Sequence, residues 1–139
     1  MIVIAFDIGD KRIGVAATDP LGMMALPVET YFRKNTADDV KYLAALAKAK
    51  GAELIVCGMP VNFDGSESVQ TVKTRKFIEL LKEQTDIPIV LEDERFTTME
   101  ARRILIDADV RRDKRKQVID KIAATYILEG YLNKQSGKI

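Results

Sequence analysis

Residues 2 to 8, Ile-Val-Ile-Ala-Phe-Asp-Ile, are apolar but for one aspartate and rich in β-branched side chains. A run with no polar face fits a strand at the centre of a sheet, buried on both sides. It closes on the turn-forming residues Gly9, Asp10 and Lys11, and a second apolar run, Ile13 to Thr18, begins only a few residues later. The short spacing predicts an antiparallel hairpin. A third strand is predicted near residues 28–32, after the breakers Gly22 and Pro27.

From there the pattern changes period. Asn35 or Thr36 can cap a helix that carries Asp38 and Asp39 in its first turn and an apolar face of Val40, Leu43, Ala44, Leu46 and Ala47, ending at Gly51. A short buried strand follows at Leu54 to Cys57, then a loop from Gly58 to Ser66 and a helix from about Ser68 to Glu83. Residues 88–91 read as a fifth strand running into Glu92, Asp93 and Glu94. Thr97 or Thr98 opens a further helix, and the last covers roughly 114–132. Strands in a meander followed by alternating helices and strands predict an α/β fold: a mixed five-stranded sheet with helices on both faces.

The chain of 139 residues holds one core, so a single domain over residues 1–139 is expected. With 22 Lys and Arg against 21 Asp and Glu, net charge makes no case for a polyanionic partner, and such a case must rest on local clusters. There is no histidine, which excludes His-based acid/base catalysis and Ser-His-Asp triads. The lone Cys57 sits in an apolar run and reads as a buried thiol. No basic region precedes the first apolar run, and Asp7 interrupts it too early for a signal peptide or a membrane span, so a cytoplasmic protein is expected.

Carboxylates remain to carry chemistry. Asp7 ends the central strand, at the usual site edge of an α/β sheet, unless it only shapes the turn. Glu92, Asp93 and Glu94 end the last strand, where the pleat sends Glu92 and Glu94 to one face and Asp93 to the other. Asp120 shares a helical stripe with Ala124, Ile127 and Tyr131 and is expected to be partly buried, with a salt bridge to a neighbouring lysine as the plain alternative. Carboxylates converging without histidine or cysteine suit magnesium or manganese. Two such ions can clamp the attacking and leaving oxygens of a phosphoryl displacement.

The segments Asp7 to Ala16, Gly58-Met59-Pro60 with Asp64 to Ser68, Asp93 to Thr98, and Asp120 to Ala124 resemble the successive motifs of the YqgF (RuvX) family along the whole chain. The resemblance implies a ribonuclease H-like fold related to the resolvase RuvC, and a nuclease acting on Holliday junctions or on the 5′ end of the small-subunit ribosomal RNA precursor. It assigns the catalytic and metal-binding acids to Asp7, Glu94 and Asp120, whereas the pleat leaves Asp93 and Glu94 open. Met59 stands where the family more often has leucine.

Around these acids lie candidate substrate-binding groups. Lys11 and Arg12 follow Asp7 in the hairpin turn, and Arg95 ends the last strand. Asn62 and Ser66 offer an amide and a hydroxyl in a glycine-containing loop before a helix. Arg111, Arg112, Arg115 and Lys116 lead into the helix that bears Asp120. The expected partner is structured RNA or branched DNA, with the protein a monomer or a homodimer. The competing readings are a half-domain of the actin-like ATPase and sugar kinase type, and a non-catalytic RNA- or partner-binding member of the same fold.

Overall fold

The central strand β1 (Val3–Ile8) pairs antiparallel with β2 (Arg12–Thr18), and β2 with β3 (Ala25–Phe32). On its other side β1 pairs parallel with β4 (Leu54–Met59), and β4 with β5 (Ile89–Asp93). The sheet order is β3-β2-β1-β4-β5. Helices α1 (Thr36–Ala49), α2 (Val69–Gln84) and α3 (Arg112–Gln135) complete the computed structural model, which describes residues 1–62, 64–93 and 112–135, without the side chains of 112–119 and 121. The helix expected to open at Thr97 or Thr98 lies outside the described residues.

Alternation along β1 explains its sequence. Ile4, Phe6 and Ile8 enter a core with Ile13, Val15, Val40, Leu43, Phe77 and Leu81, under α1 and α2. Val3 and Ala5 enter a second core with Ala16, Val56, Ala124, Ile127 and Leu128, under α3. Both faces are covered, so both parities are apolar. Ala5, Gly14 and Ala16 on the α3 side of the sheet let that helix approach closely. Cys57 is fully buried, as expected. No helix among the described residues is long and apolar enough to cross a membrane.

Two boundaries differ from expectation. Pro27 lies inside β3, opposite Ala16, where the register shifts. Because β3 is an edge strand of the sheet, a residue without an N–H can be tolerated there. Gly58 and Met59 continue β4, paired with Glu92 and Asp93, so the strand outlasts the apolar run by two residues.

A buried carboxylate joins α1 to the hairpin turn. Asp39 is fully buried and accepts hydrogen bonds from the Tyr31 hydroxyl at 2.9 Å, Arg33 Nε at 2.8 Å and the Lys34 N–H at 2.9 Å. Arg33 also donates to the Gly9 carbonyl at 2.9 Å, while its own N–H bonds the Lys11 carbonyl. One guanidinium thus fixes the turn that follows Asp7. Burial raises the Asp39 carboxyl, but the Lys34, Arg33 and Tyr31 donors outweigh it and hold the group below the ordinary range. Burial, then Asp39, pushes the Tyr31 hydroxyl up to about 12. A depressed carboxyl stabilises the fold above its unfolded value of about 3.9, and that contribution is lost as pH falls through the folded value. Asp39→Ala is expected to remove the acid-side loss and to destabilise by about 3–5 kcal/mol, because Arg33 stays half-buried without its counter-charge. Denaturant midpoints at pH 7 and pH 3 check this. A midpoint at pH 7 within experimental error of the wild type would show the network to be dispensable.

Candidate active site

The site is built where α3 meets the open end of β1. Asp7 pairs with Gly14 across the β1–β2 ladder. It follows Val3 and Ala5 on the face that α3 covers. Gly14 supplies the close approach: a Cβ added there would lie 1.9 Å from the Asp120 carbonyl oxygen and 3.1 Å from its Cα. The backbone of α3 therefore rests on the sheet at Gly14, one strand spacing of about 4.8 Å from Asp7. A β-branched residue in place of Gly14 would suit a strand, but would hold Asp120 away.

Asp120 is partly buried, as expected from its place on the helical stripe. Among the described side chains its ion-pair partner is Arg12, 108 positions earlier, which donates from Nε to Oδ2 at 2.7 Å. Burial pushes the Asp120 carboxyl above the ordinary carboxylate range, and Arg12 works against that rise. The side chains keep 28% and 19% of their exposure, so the pair is open to solvent on one side and can exchange partners. Lys11, beside it in the turn, is exposed.

Glu92 occupies the α3 face at the end of β5 and is buried, 3.5 Å from the position of a Cβ on Gly130. Lys134 bonds its Oε1 at 2.5 Å and neutralises it. Glu94, Arg95 and Arg111 lie outside the described residues, as do the side chains of Arg112, Arg115 and Lys116; the backbones of these three belong to the first turns of α3. Among the described residues no three His, Cys, Asp or Glu side chains come close enough to form a metal-ligand group. The donors at this edge, Asp7 and Asp120, are hard oxygen ligands, and Cys57 belongs to the core on the opposite face.

The loop after β4 is shaped by its own side chains. Asn62 Nδ2 donates to Ser66 Oγ at 2.9 Å, and the Ser66 N–H and hydroxyl both donate to Asp64 Oδ1, at 2.9 and 2.6 Å. Gly65, at φ +87°, lets the chain reverse. Of the two candidate substrate-binding groups, Ser66 is thus engaged with a carboxylate and Asn62 with Ser66. Three residues were missed in the sequence: Gly14, Arg33 and Asp39. A glycine inside an otherwise apolar strand is the usual mark of close backbone approach, and Gly14 carried that signal.

This architecture is the ribonuclease H-like fold. The structure of T. thermophilus RuvC in complex with a Holliday junction substrate superposes with a TM-score of 0.62 at 9% identity, covering 99% of this chain and 98% of that one. The fowlpox virus resolvase bound to junction DNA gives a TM-score of 0.56 at 14% identity, covering 97% and 99%. Within that class the sequence is specific: the profile of RuvX, described as Holliday junction resolvase, matches residues 1–134, and the chain belongs to this family. Relatives provisionally named pre-16S rRNA nuclease include one from Clostridium acetobutylicum, 45% identical over 96% of this chain and 98% of its own length. Another, from Halothermothrix orenii, is 48% identical over 98% and 97%.

Proposed function

We propose that residues 1–139 form a single nuclease domain that hydrolyses phosphodiester bonds in structured nucleic acid with magnesium or manganese, in the cytoplasm. The observation that carries this reading is the approach of α3 to the sheet at Gly14, which brings Asp120 beside the strand end bearing Asp7. Asp7, Glu94 and Asp120 would hold the metal. When bound, the ion supplies charge neutralisation at the phosphate and an activated water. The chain's own contribution is to orient the substrate. Arg12 is partly exposed beside Asp120 and the exposed Lys11 lies next to it, so both can meet a phosphate at this edge. Arg95 would assist there, Asn62 and Ser66 would border the site, and Arg111, Arg112, Arg115 and Lys116 would steer the backbone along α3.

The names of the relatives favour the 16S ribosomal RNA precursor as substrate, with the four-way junction as the alternative that the RuvC-like fold supports. Incubating the protein with labelled precursor RNA, single-stranded RNA and four-way DNA junctions should give metal-dependent cuts in one of them and none in EDTA. No cut in any substrate with either metal would overturn the reading. Paired symmetric nicks in a junction would point to a working homodimer.

A further inference from the structure

On the face of the sheet opposite α3, a cavity of about 270 Å3 opens between the hairpin turn, the start of α1 and the first half of α2. Its wall carries Arg33, Thr36, Gln70, Lys73 and Lys76, and Phe77 lies against it. The Arg33 guanidinium stacks over the Phe77 ring, 4.8 Å from its centroid. Nε, Nη1 and Nη2 already donate to Asp39, the Gly9 carbonyl and the Thr36 hydroxyl. A guanidinium has five N–H bonds, so two have no acceptor among the described residues, on a group that is held rigid. The acid on the rim is Asp10, and its pairing with Lys73 is loose: 3.7 Å, with the side chains 60% and 58% exposed. Such a pair contributes little and exchanges readily for a better anion.

The cavity therefore offers cations, an amide and a hydroxyl above an apolar floor, which is complementary to a phosphate joined to a sugar and base. Its position selects the source. Ile8 and Asp10 line it, and Asp7 is the residue before Ile8, facing the other side of the same strand end. We infer that this cavity binds a phosphodiester of the strand being cut, a few nucleotides from the scissile bond, with Lys73 and Lys76 as its main contacts. The inference rests on the nuclease reading and adds a second contact region, on the α2 side of the sheet.

Binding of labelled single-stranded RNA and of four-way junctions can be followed by fluorescence anisotropy in EDTA, where no cutting occurs, over a salt series. For the variant carrying Lys73→Ala and Lys76→Ala, the log–log salt slope should fall by roughly 1.4–1.8 relative to wild type, at about 0.7–0.9 per lost contact. A control carrying Lys41→Ala and Lys48→Ala, which alters a separate groove between α1 and the end of α2, should keep the wild-type slope. The inference fails if the first variant keeps the wild-type slope or if the control loses as much. It also fails if inorganic phosphate or a mononucleotide displaces the oligonucleotide at comparable concentration, since the cavity would then serve a small molecule. Absence of any nucleic-acid binding by the wild type would instead sink the nuclease reading itself.

Discussion

Gly14→Ala is expected to destabilise the protein by about 3 kcal/mol, the upper end of the usual range for overpacking, and to abolish cleavage. The added methyl would sit 1.9 Å from the Asp120 carbonyl oxygen, and backbone cannot turn aside as a flexible side chain can. Either α3 lifts, opening the core of Ala16, Ala124, Ile127 and Leu128, or β2 bends and loses its ladder to β1. Asp120 moves away from the strand end in both cases. Gly130→Ala is the matched control: among the described residues a Cβ there meets the Glu92 carboxyl, at 3.5 Å from Oε1 and 4.0 Å from Cδ, ordinary contacts. In mid-helix that change should be neutral or stabilise by up to about 1 kcal/mol. Denaturant midpoints of the two variants, read beside a cleavage assay, check the contrast. Equal stability of the two would mean that α3 is not seated on Gly14.

Asp7→Asn should lower the cleavage rate by at least about a thousandfold, equivalent to about 4 kcal/mol of barrier. It should leave nucleic-acid affinity within a few-fold, because the amide keeps the shape but not the charge a metal needs. Asp120→Asn should behave likewise, whereas Glu92→Gln should be much milder in activity, since Lys134 engages that carboxylate. Without metal, Asp7→Asn removes a negative charge from the neighbourhood of Asp120, and its melting temperature should equal or exceed that of the wild type. Millimolar magnesium should then stabilise the wild type more than the variant, since the ion binds the folded site. A variant that cuts at the wild-type rate, or that melts much lower in EDTA, would remove Asp7 from the metal site and make it a structural anchor.

Much of this was legible because burial leaves a period in the sequence. The unbroken run at β1 announced a strand covered on both faces, and the stripe through Asp120, Ala124 and Ile127 announced the helix that covers one of them. What escaped was contact between distant segments. Asp39 was read with Asp38 only as a first-turn acid, yet it stands four residues before Leu43 and eight before Ala47, on the buried stripe of α1. That spacing held the signal, but its partners Tyr31 and Arg33 lie in the strand end and loop before α1, where no period points to them. Likewise the pairing of Asp120 with Arg12 was not foreseen, since a helix pattern shows neighbours along one element and not what is packed beneath it. Gly58 was taken for a loop residue because glycine usually ends a strand, and here it continues one.

The seating of α3 on Gly14 also sets a schedule for synthesis. Arg12 and Asp120 are separated by 108 positions, and Asp7 lies earlier still. At about 5–20 residues per second, roughly 5–20 seconds pass between the translation of the two segments. The hairpin of β1 and β2 can form early, but the carboxylate pair cannot assemble until the last helix has cleared the exit tunnel. On the proposed assignment of Asp7 and Asp120, a nascent chain is expected to be inert towards the RNA of the ribosome making it until α3 has docked.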